Sequence, residues 1–312
     1  MLPPPHDNNA PIRLTDNDAA LAKLSAVRQK YLTDQFIQHF VPRSNNQLLI
    51  VSLGAGSDTR FWKLATSSQK DCLSAYVEID FPEITMKKAM SIKKNKTLND
   101  VVGDVQLGRG GSALSSPLYH LLPADLRLDP SVALGSLIST ENGPSLLDPS
   151  LPTLLIFECV LVYMSPQESN RLLEWFQAYF SSQNGAALGA IVYEMFGLGD
   201  SFGRVMVSNL KTRQVSLPGA EPYPTLESLP SRFLNLKFTA ALALTLKDIR
   251  RNYIDAEELA RISKLEMLDE VEELELVLEH YAITWSLSLS GTGLKAPWGD
   301  WGLKRKQQQQ YD

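Results

Sequence analysis

Two mainly apolar runs, each followed by a polar loop, are the most constraining feature of this sequence. The first run, residues 48–53, is followed by Gly54 and Gly56, and the second run, residues 74–80, has Asp80 as its last residue. Short runs of this kind predict buried parallel strands. Glycines let the backbone turn tightly and approach a ligand, and an acid at the next strand end can accept hydrogen bonds from a ribose. The pair of runs therefore predicts a nucleoside site in an α/β fold.

The residues that follow the glycines favour a ligand without phosphates. Dinucleotide sites carry a third glycine or alanine close to the pyrophosphate at the helix N-terminus. Here that position is Thr59, and Asp58 places a carboxylate where phosphates would bind. S-Adenosylmethionine, an adenosine with a cationic sulfonium and no phosphate, is therefore favoured over a dinucleotide. A Gly-x-Gly pair alone can also be a simple tight turn, and its pairing with Asp80 is what favours a ligand site.

Helix and strand signals alternate along the chain, which predicts an α/β fold with a doubly wound, mostly parallel sheet. Predicted strands cover residues 48–53, 74–80, 153–158, 186–194, 236–246 and 281–289, and a further strand ends near residues 122–125. Predicted helices cover residues 19–40, 83–94 and 265–274, and Ser165-Pro166-Gln167-Glu168 opens another with a capping box. Residues 95–120 and 127–151 are predicted to be irregular. Residues 197–235 are expected to be an insertion over the strand ends.

Composition sets the domain organisation and excludes several classes of protein. Residues 1–18 and 304–312 are predicted to be disordered, which leaves one domain over residues 19–303. The net charge of −5 disfavours a nucleic-acid partner, and no apolar run is long enough to cross a membrane. Cys72 and Cys159 are too few for a disulfide framework, and the four histidines lack metal-ligand spacing. We expect a cytoplasmic monomer without a metal.

Three acids follow predicted strands of the parallel sheet. They are Asp80, Asp125 and Glu158. Ligands of such sheets bind outside the carboxyl ends of the strands, so these acids are expected to lie close together. Asp125 with Leu126 can hold an adenine edge, and Glu158 can face the ammonium of the cofactor or a ribose hydroxyl. A single acid at a strand end can equally cap a helix.

The residues that could orient the substrate lie after the strand ends in the sequence. Tyr163 lies one short turn after Glu158 and can contact the substrate, although a core aromatic is an equal alternative. Arg204 and Arg213 of the insertion can bind a carboxylate, or they can be ordinary surface arginines.

These motifs resemble, in the same order, those of the leucine carboxyl methyltransferases, which methylate the C-terminal leucine of type-2A protein phosphatase catalytic subunits. The resemblance implies a class I, Rossmann-like S-adenosylmethionine-dependent methyltransferase with an N-terminal helical segment and a substrate lid at about residues 197–235. It covers residues 19–290, in the segments 51–62, 77–82, 124–127, 154–164, 193–194, 199–206 and 265–270.

The resemblance also implies a set of cofactor contacts. The positions that match are Gly54, Asp80, Asp125, Leu126 and Glu158. Lys23 matches a family lysine that meets the methionine carboxylate of the cofactor.

One departure from the family pattern concerns the same carboxylate. In the family, a few dozen residues precede the first strand and supply an arginine to the methionine carboxylate. Here only a short loop containing Arg43 separates Pro42 from the strand. A catalytically weakened or inactive homologue is therefore one alternative. A methyltransferase for another carboxylate or a tRNA base is the other, although the tRNA-modifying relatives carry a C-terminal repeat domain that is not expected here.

Overall fold

The computed structural model describes residues 16–41, 47–135, 145–181, 187–264, 271–289 and 301–305, with side chains from Lys23 onward. Within these ranges a nine-stranded sheet separates two hydrophobic cores. The order across the sheet is β3-β4-β5-β2-β1-β6-β7-β9-β8. Its strands are β1 Leu48–Leu53, β2 Leu73–Asp80, β3 Gln106–Gly108, β4 Ala113–Ser115, β5 Tyr119–Pro123, β6 Thr153–Glu158, β7 Ala187–Met195, β8 Ala240–Thr245 and β9 Tyr281–Leu289.

The five central strands, β5-β2-β1-β6-β7, are parallel, and antiparallel strands extend the sheet at both edges. Every residue of β1 is buried, as expected for a strand covered on both faces. The winding direction reverses between β1 and β6, which lie side by side with Leu53 opposite Phe157. This reversal is the switch point at which open α/β sheets bind ligands. The predicted doubly wound, mostly parallel fold is confirmed.

Helices cover both faces of the sheet. The helix Pro166–Ser181 begins with the predicted capping box: the Ser165 N–H donates to Glu168 Oε2 at 2.7 Å, and the Glu168 N–H donates to Ser165 Oγ at 3.3 Å. The helices of the described ranges are α1 Asp16–Phe40, α2 Arg60–Ala65, α3 Pro82–Lys94, α4 Lys96–Val102, α5 Pro130–Ala133, α6 Pro166–Ser181, α7 Ser201–Thr212, α8 Ser231–Leu234, α9 Leu246–Asn252, α10 Ala256–Ser263 and α11 Val271–Glu279. None of these helices is long and apolar enough to cross a membrane.

The sequence predictions differ from the structure in six places. Residues 127–151, predicted to be irregular, contain the short helix α5, and the strand predicted over residues 236–246 covers only Ala240–Thr245. Residues 95–120 are not irregular: they contain α4, β3, β4 and the start of β5, and Asn95 caps α4 by accepting from the Leu98 N–H. The helices α9 and α10 were not predicted. Helix α1 begins at Asp16, so residues 16–18 are helical rather than disordered. Of the predicted helix 265–274, residues 265–270 lie outside the described ranges, and α11 continues to Glu279.

The predicted insertion, residues 197–235, follows β7 and contains α7 and α8. Arg232 of α8 forms an ion pair with Glu194 of β7, Nη1 to Oε1 at 2.6 Å, and each side chain is only 1% exposed. The Arg232 guanidinium also donates to the carbonyl of Gly219 at 3.4 Å. The Gly219 N–H donates to the carbonyl of Val162 at 3.0 Å, and a Cβ on Gly219 would lie 2.0 Å from the Leu161 carbonyl. The insertion is therefore fixed against the turn that follows β6.

Candidate functional site

The loop after β1 brings the backbone into the switch point. Gly54 has φ +67° and Gly56 has φ +46°, conformations that side chains rarely adopt. The Gly54 N–H donates to the carbonyl of Ile79 at 2.8 Å. A Cβ on Gly54 would lie 2.4 Å from Val160 Cγ2, so the space between the ends of β1 and β6 depends on this glycine.

Asp80 lies beside this loop, as the sequence predicts. Its Oδ2 accepts the Gly56 N–H at 2.8 Å, and its Oδ1 accepts the Phe81 N–H at 2.7 Å. These bonds orient the carboxylate toward a cavity of about 310 Å³, here called the Asp80 cavity. The cavity is lined by Gly54, Asp80, Phe81, Ala124, Leu126, Arg127, Cys159, Val160, Tyr163 and Met164.

Leu126 and Asp125 have different positions relative to the Asp80 cavity. Leu126 is in its wall, whereas Asp125 is not. The Asp125 carboxylate accepts several hydrogen bonds from Arg127, among them Nε to Oδ1 at 2.9 Å and Nη2 to Oδ2 at 2.7 Å. Hydrogen bonds from Arg127 lower the pKa of Asp125. Strand β5 ends at Pro123, so Asp125 belongs to the turn after the strand rather than to the strand end.

A second cavity, here called the Glu158 cavity, meets the first at Gly54. Its volume is about 410 Å³, and Glu158 at the end of β6 lies in its wall. The acids predicted at the ends of β2 and β6 therefore lie on two adjoining cavities. The lining residues are Ala26, Ser52, Gly54, Ala55, Gly56, Ser57, Asp58, Thr59, Arg60, Lys63 and Glu158.

An arginine at the start of α2 organises the Glu158 cavity. Arg60 donates to Asp58 Oδ2 at 2.7 Å and also contacts Glu158 Oε2 and Gln29 Oε1. Burial opposes the charge of Arg60, but Asp58 and Glu158 together raise its pKa. The Lys88 ammonium supports the loop from α3 by donating to the Asp58 carbonyl at 2.8 Å. Arg60 belongs to the motif that indicated the site, but its role was not predicted from the sequence.

The Asp58 carboxylate occupies the N-terminus of α2, as the sequence predicts. Its Oδ1 accepts the Arg60 N–H at 2.8 Å, and its Oδ2 also accepts the hydroxyls of Ser52 and Tyr76. Burial alone would raise the pKa of Asp58, but Arg60 and Lys88 outweigh this effect and lower it. A carboxylate held in this way places negative charge at the helix end, which disfavours a phosphate there.

The lowered pKa of Asp58 predicts a pH-dependent stability. Because the folded-state pKa lies below the unfolded value, the ionised carboxylate stabilises the fold above about pH 4, and this contribution is lost as the pH falls through the folded pKa. Urea unfolding between pH 5 and pH 3 is therefore expected to show a steeper loss of stability in the unaltered protein than in Asp58→Asn. Equal slopes for the two proteins would contradict this assignment.

Lys23 lies in a third cavity, here called the Lys23 cavity, of about 450 Å³. Helix α1 carries Lys23 and Lys30 into its wall, and α10 contributes Arg261. The Glu158 and Lys23 cavities share Ala26, Arg60 and Lys63, but Lys23 is not in the wall of the Glu158 cavity. Arg43 lies outside the described residues.

The turn after β6 completes the Asp80 cavity. Cys159 adopts a left-handed conformation, with φ 51°, which is uncommon for a residue other than glycine and marks a constrained position. Burial raises the pKa of the Cys159 thiol to about 12, with further contributions from Glu158 and Glu194. Tyr163 is 43% exposed, and its place in the cavity wall makes it accessible to a ligand rather than a core aromatic.

The two predicted arginines of the insertion lie on or next to α7. Arg204 donates to the carbonyl of Gly199 at 2.6 Å, and Arg213 is the exposed residue that ends the helix. Neither is in the wall of the Asp80 or Glu158 cavity. Among the described residues, no group of three His, Cys, Asp or Glu side chains is arranged to hold a metal ion.

The sequence was compared with known proteins. A family model described as leucine carboxyl methyltransferase matches residues 4–177. Leucine carboxyl methyltransferase 1 of Cryptococcus neoformans var. neoformans serotype D (strain JEC21 / ATCC MYA-565) is 41% identical over 346 positions, which cover 91% of this chain and 95% of that protein. The Bos taurus protein of the same name is 35% identical and is matched over 88% of this chain and 89% of its own length.

A solved structure was also found. A putative methyltransferase from Thermobifida fusca aligns over 88% of this chain and 90% of that chain, with a TM-score of 0.46 and 12% identity.

The strand order, the glycine loop with its acid and the family match together define an S-adenosylmethionine-dependent methyltransferase. The chain belongs to the leucine carboxyl methyltransferase family. The alignment with the Cryptococcus relative contains 346 positions, more than the 312 residues of this chain, so that relative has positions without a counterpart here. Residues 41–47 separate α1, which ends at Phe40, from β1, which begins at Leu48.

The described residues fit S-adenosylmethionine. The Asp80 cavity offers a carboxylate for ribose hydroxyls and the apolar Leu126 for a base. The adjoining Glu158 cavity offers side chains of both charges for the zwitterionic amino-acid half. At their junction the positive φ and the close approach of Val160 exclude a side chain on Gly54.

Proposed function

We propose that this protein transfers a methyl group from S-adenosylmethionine to the C-terminal leucine α-carboxylate of the type-2A protein phosphatase catalytic subunit. The observation that carries the proposal is the similarity, over most of the chain, to proteins named leucine carboxyl methyltransferase 1. The phosphatase is the substrate that the family resemblance implies.

This reaction needs positioning more than proton transfer. A terminal carboxylate has a pKa of about 3.3–3.7, so it is already a nucleophile at neutral pH. S-Adenosylmethionine supplies, when bound, a methyl group activated by its sulfonium. Holding two reactants in a productive geometry is worth roughly 7–11 kcal/mol. A site built from a backbone cradle and orienting side chains, without a general base, therefore suits this chemistry.

The proposed roles follow the two adjoining cavities. Gly54 lets the cofactor approach the protein backbone at the switch point. The Asp80 carboxylate accepts hydrogen bonds from the ribose hydroxyls, and Leu126 packs against the adenine. The Glu158 carboxylate accepts hydrogen bonds from the ammonium group in the methionine half of the cofactor. Asp125 is proposed to act at the adenine edge in its ion pair with Arg127.

The remaining roles concern the methionine carboxylate and the peptide. Lys23 is the family-implied partner of the methionine carboxylate. Tyr163, exposed in the wall of the Asp80 cavity, is proposed to orient the peptide carboxylate. Arg204 or Arg213 would approach the peptide from the insertion, which is proposed to act as a lid over about residues 197–235.

Methylation of the intact phosphatase tail is the test. The protein is incubated with methyl-labelled S-adenosylmethionine and the phosphatase catalytic subunit, in parallel with the same subunit lacking its terminal leucine. Label is expected only on the intact subunit, in an ester that mild base hydrolyses. No label, or equal label on both subunits, would contradict the proposal.

The alternatives predict other results. A catalytically inactive homologue transfers no label, even if it binds the cofactor. A methyltransferase for another carboxylate or a tRNA base leaves the phosphatase unlabelled but consumes the donor when its own substrate is present.

We further propose that the protein acts in the cytoplasm as a monomer, with residues 19–303 as one domain. Cys72 and Cys159 are both free thiols, which suits a reducing compartment.

A further inference from the structure

One cation in the wall of the Glu158 cavity takes no part in the ion pairs of that cavity. Its charged residues are Asp58, Arg60, Lys63 and Glu158. Arg60 is bound on both sides, since it pairs with the carboxylates of Asp58 and Glu158. These three side chains form one network with a net charge of −1.

Lys63 is the remaining charge. It lies in the last turn of α2, three residues after Arg60, and residues with this spacing lie on the same helix face. The Lys63 backbone N–H donates to the carbonyl of Thr59 at 3.4 Å, but within the part of the chain that the structure describes its side chain has no hydrogen bond or ion pair, and the residue is exposed. It lines both the Glu158 and the Lys23 cavity, so it stands at the border between them.

This charge arrangement complements a free amino-acid group. An α-amino acid group presents one ammonium and one carboxylate. The acidic network at Glu158 is suited to the ammonium, and an unpaired ammonium on the same wall is suited to the carboxylate. The end of β6 therefore supplies the acidic part of a zwitterion site, and α2 supplies its basic part.

We propose that Lys63 binds the methionine carboxylate of the methyl donor. The assignment rests on the proposed cofactor site and adds to it a residue that neither the strand-end acids nor the family motifs identified. Arg60 acts as a positioning residue, because its ion pairs fix Glu158 and the start of the helix that carries Lys63. Lys23, the residue that the family resemblance implies, lies in the wall of the adjoining Lys23 cavity and is the competing candidate.

The test compares two ligands that differ only in the amino-acid half. S-Adenosylhomocysteine carries the ammonium and carboxylate, whereas 5′-methylthioadenosine lacks both. Binding of each ligand is measured by calorimetry for the unaltered protein, Lys63→Met, Lys63→Arg and Lys23→Met. Lys30→Met is the matched control, since Lys30 lines only the neighbouring cavity and pairs with Asp34 at 2.5 Å.

Lys63→Met is expected to bind S-adenosylhomocysteine about tenfold more weakly, with 5′-methylthioadenosine unchanged, because one charge-assisted hydrogen bond is lost. Lys63→Arg should recover most of the affinity, and Lys30→Met should bind both ligands normally. Unchanged affinity in Lys63→Met would overturn the assignment, as would an equal loss for both ligands or a selective loss confined to Lys23→Met. If the unaltered protein binds neither ligand, the proposed cofactor itself is contradicted, a result distinct from these.

Discussion

Replacing Asp80 with alanine is expected to weaken S-adenosylhomocysteine binding by at least about 100-fold. A hydrogen bond to a charged group contributes about 1.5–3 kcal/mol, and the carboxylate is proposed to accept two from the ribose. Every 1.4 kcal/mol corresponds to about tenfold in affinity, so the loss is large enough for calorimetry to measure directly. The substitution also removes the acceptor of the Gly56 N–H, which loosens the loop on which the cofactor would lie.

Two comparisons separate ribose recognition from loop damage. The variant Asp100→Ala, which removes an exposed acid of α4, should bind S-adenosylhomocysteine normally. The unaltered protein should bind a 2′-deoxyribose analogue of S-adenosylhomocysteine more weakly than S-adenosylhomocysteine itself. Asp80→Ala should bind the two ligands with the same low affinity. Unchanged affinity in Asp80→Ala would remove Asp80 from the site.

Replacing Arg232 with methionine is expected to cost about 3–5 kcal/mol in the free energy of unfolding, because it leaves the buried Glu194 carboxylate without its partner. The Arg232 guanidinium also stacks on the Tyr223 ring, 4.2 Å from its centroid, and this contact is lost as well. Urea unfolding measures the change. Activity is expected to fall too. The carbonyl of Gly219 loses the Arg232 donor, and the N–H of the same glycine donates to the carbonyl of Val162 in the turn that carries Tyr163.

The controls for Arg232 use a second substitution and an exposed pair. Adding Glu194→Gln to Arg232→Met should recover part of the stability, since no unpaired buried charge remains. Arg261→Met breaks the exposed pair with Glu258 on α10 and should change stability far less. Equal effects of Arg232→Met and Arg261→Met would show that burial of the Arg232 pair contributes nothing.

The central sheet was predictable because burial on both faces leaves a plain signal in the sequence. The bounds of β1, β6 and β9 agree with the predicted runs. Strands β3 and β4 have three residues each, too few for a periodic pattern. Helices α9 and α10 are short, and their structure depends on packing against distant elements more than on a local signal.

Parts of the candidate site were predictable because a residue type at a particular place in the sequence pattern indicates its role, such as a glycine in a tight turn or an acid at the end of a strand. The glycines and the acids at the ends of β2 and β6 are of this kind. The Arg60 network was not predictable, because its partners Gln29 and Glu158 are 31 and 98 residues away in the chain. The Arg232–Glu194 pair joins residues 38 apart, and neither belongs to a motif that indicates burial.

The protonation state of Cys159 has a consequence for which nucleophile is methylated. A thiolate attacks methyl donors more readily than a carboxylate does, and Cys159 lies in the wall of the Asp80 cavity. With its pKa raised to about 12, the sulfur is almost entirely protonated at neutral pH. Partial burial thus lowers the thiolate fraction of Cys159 below that of an ordinary cysteine, and we expect this to disfavour methylation of the sulfur relative to an incoming carboxylate.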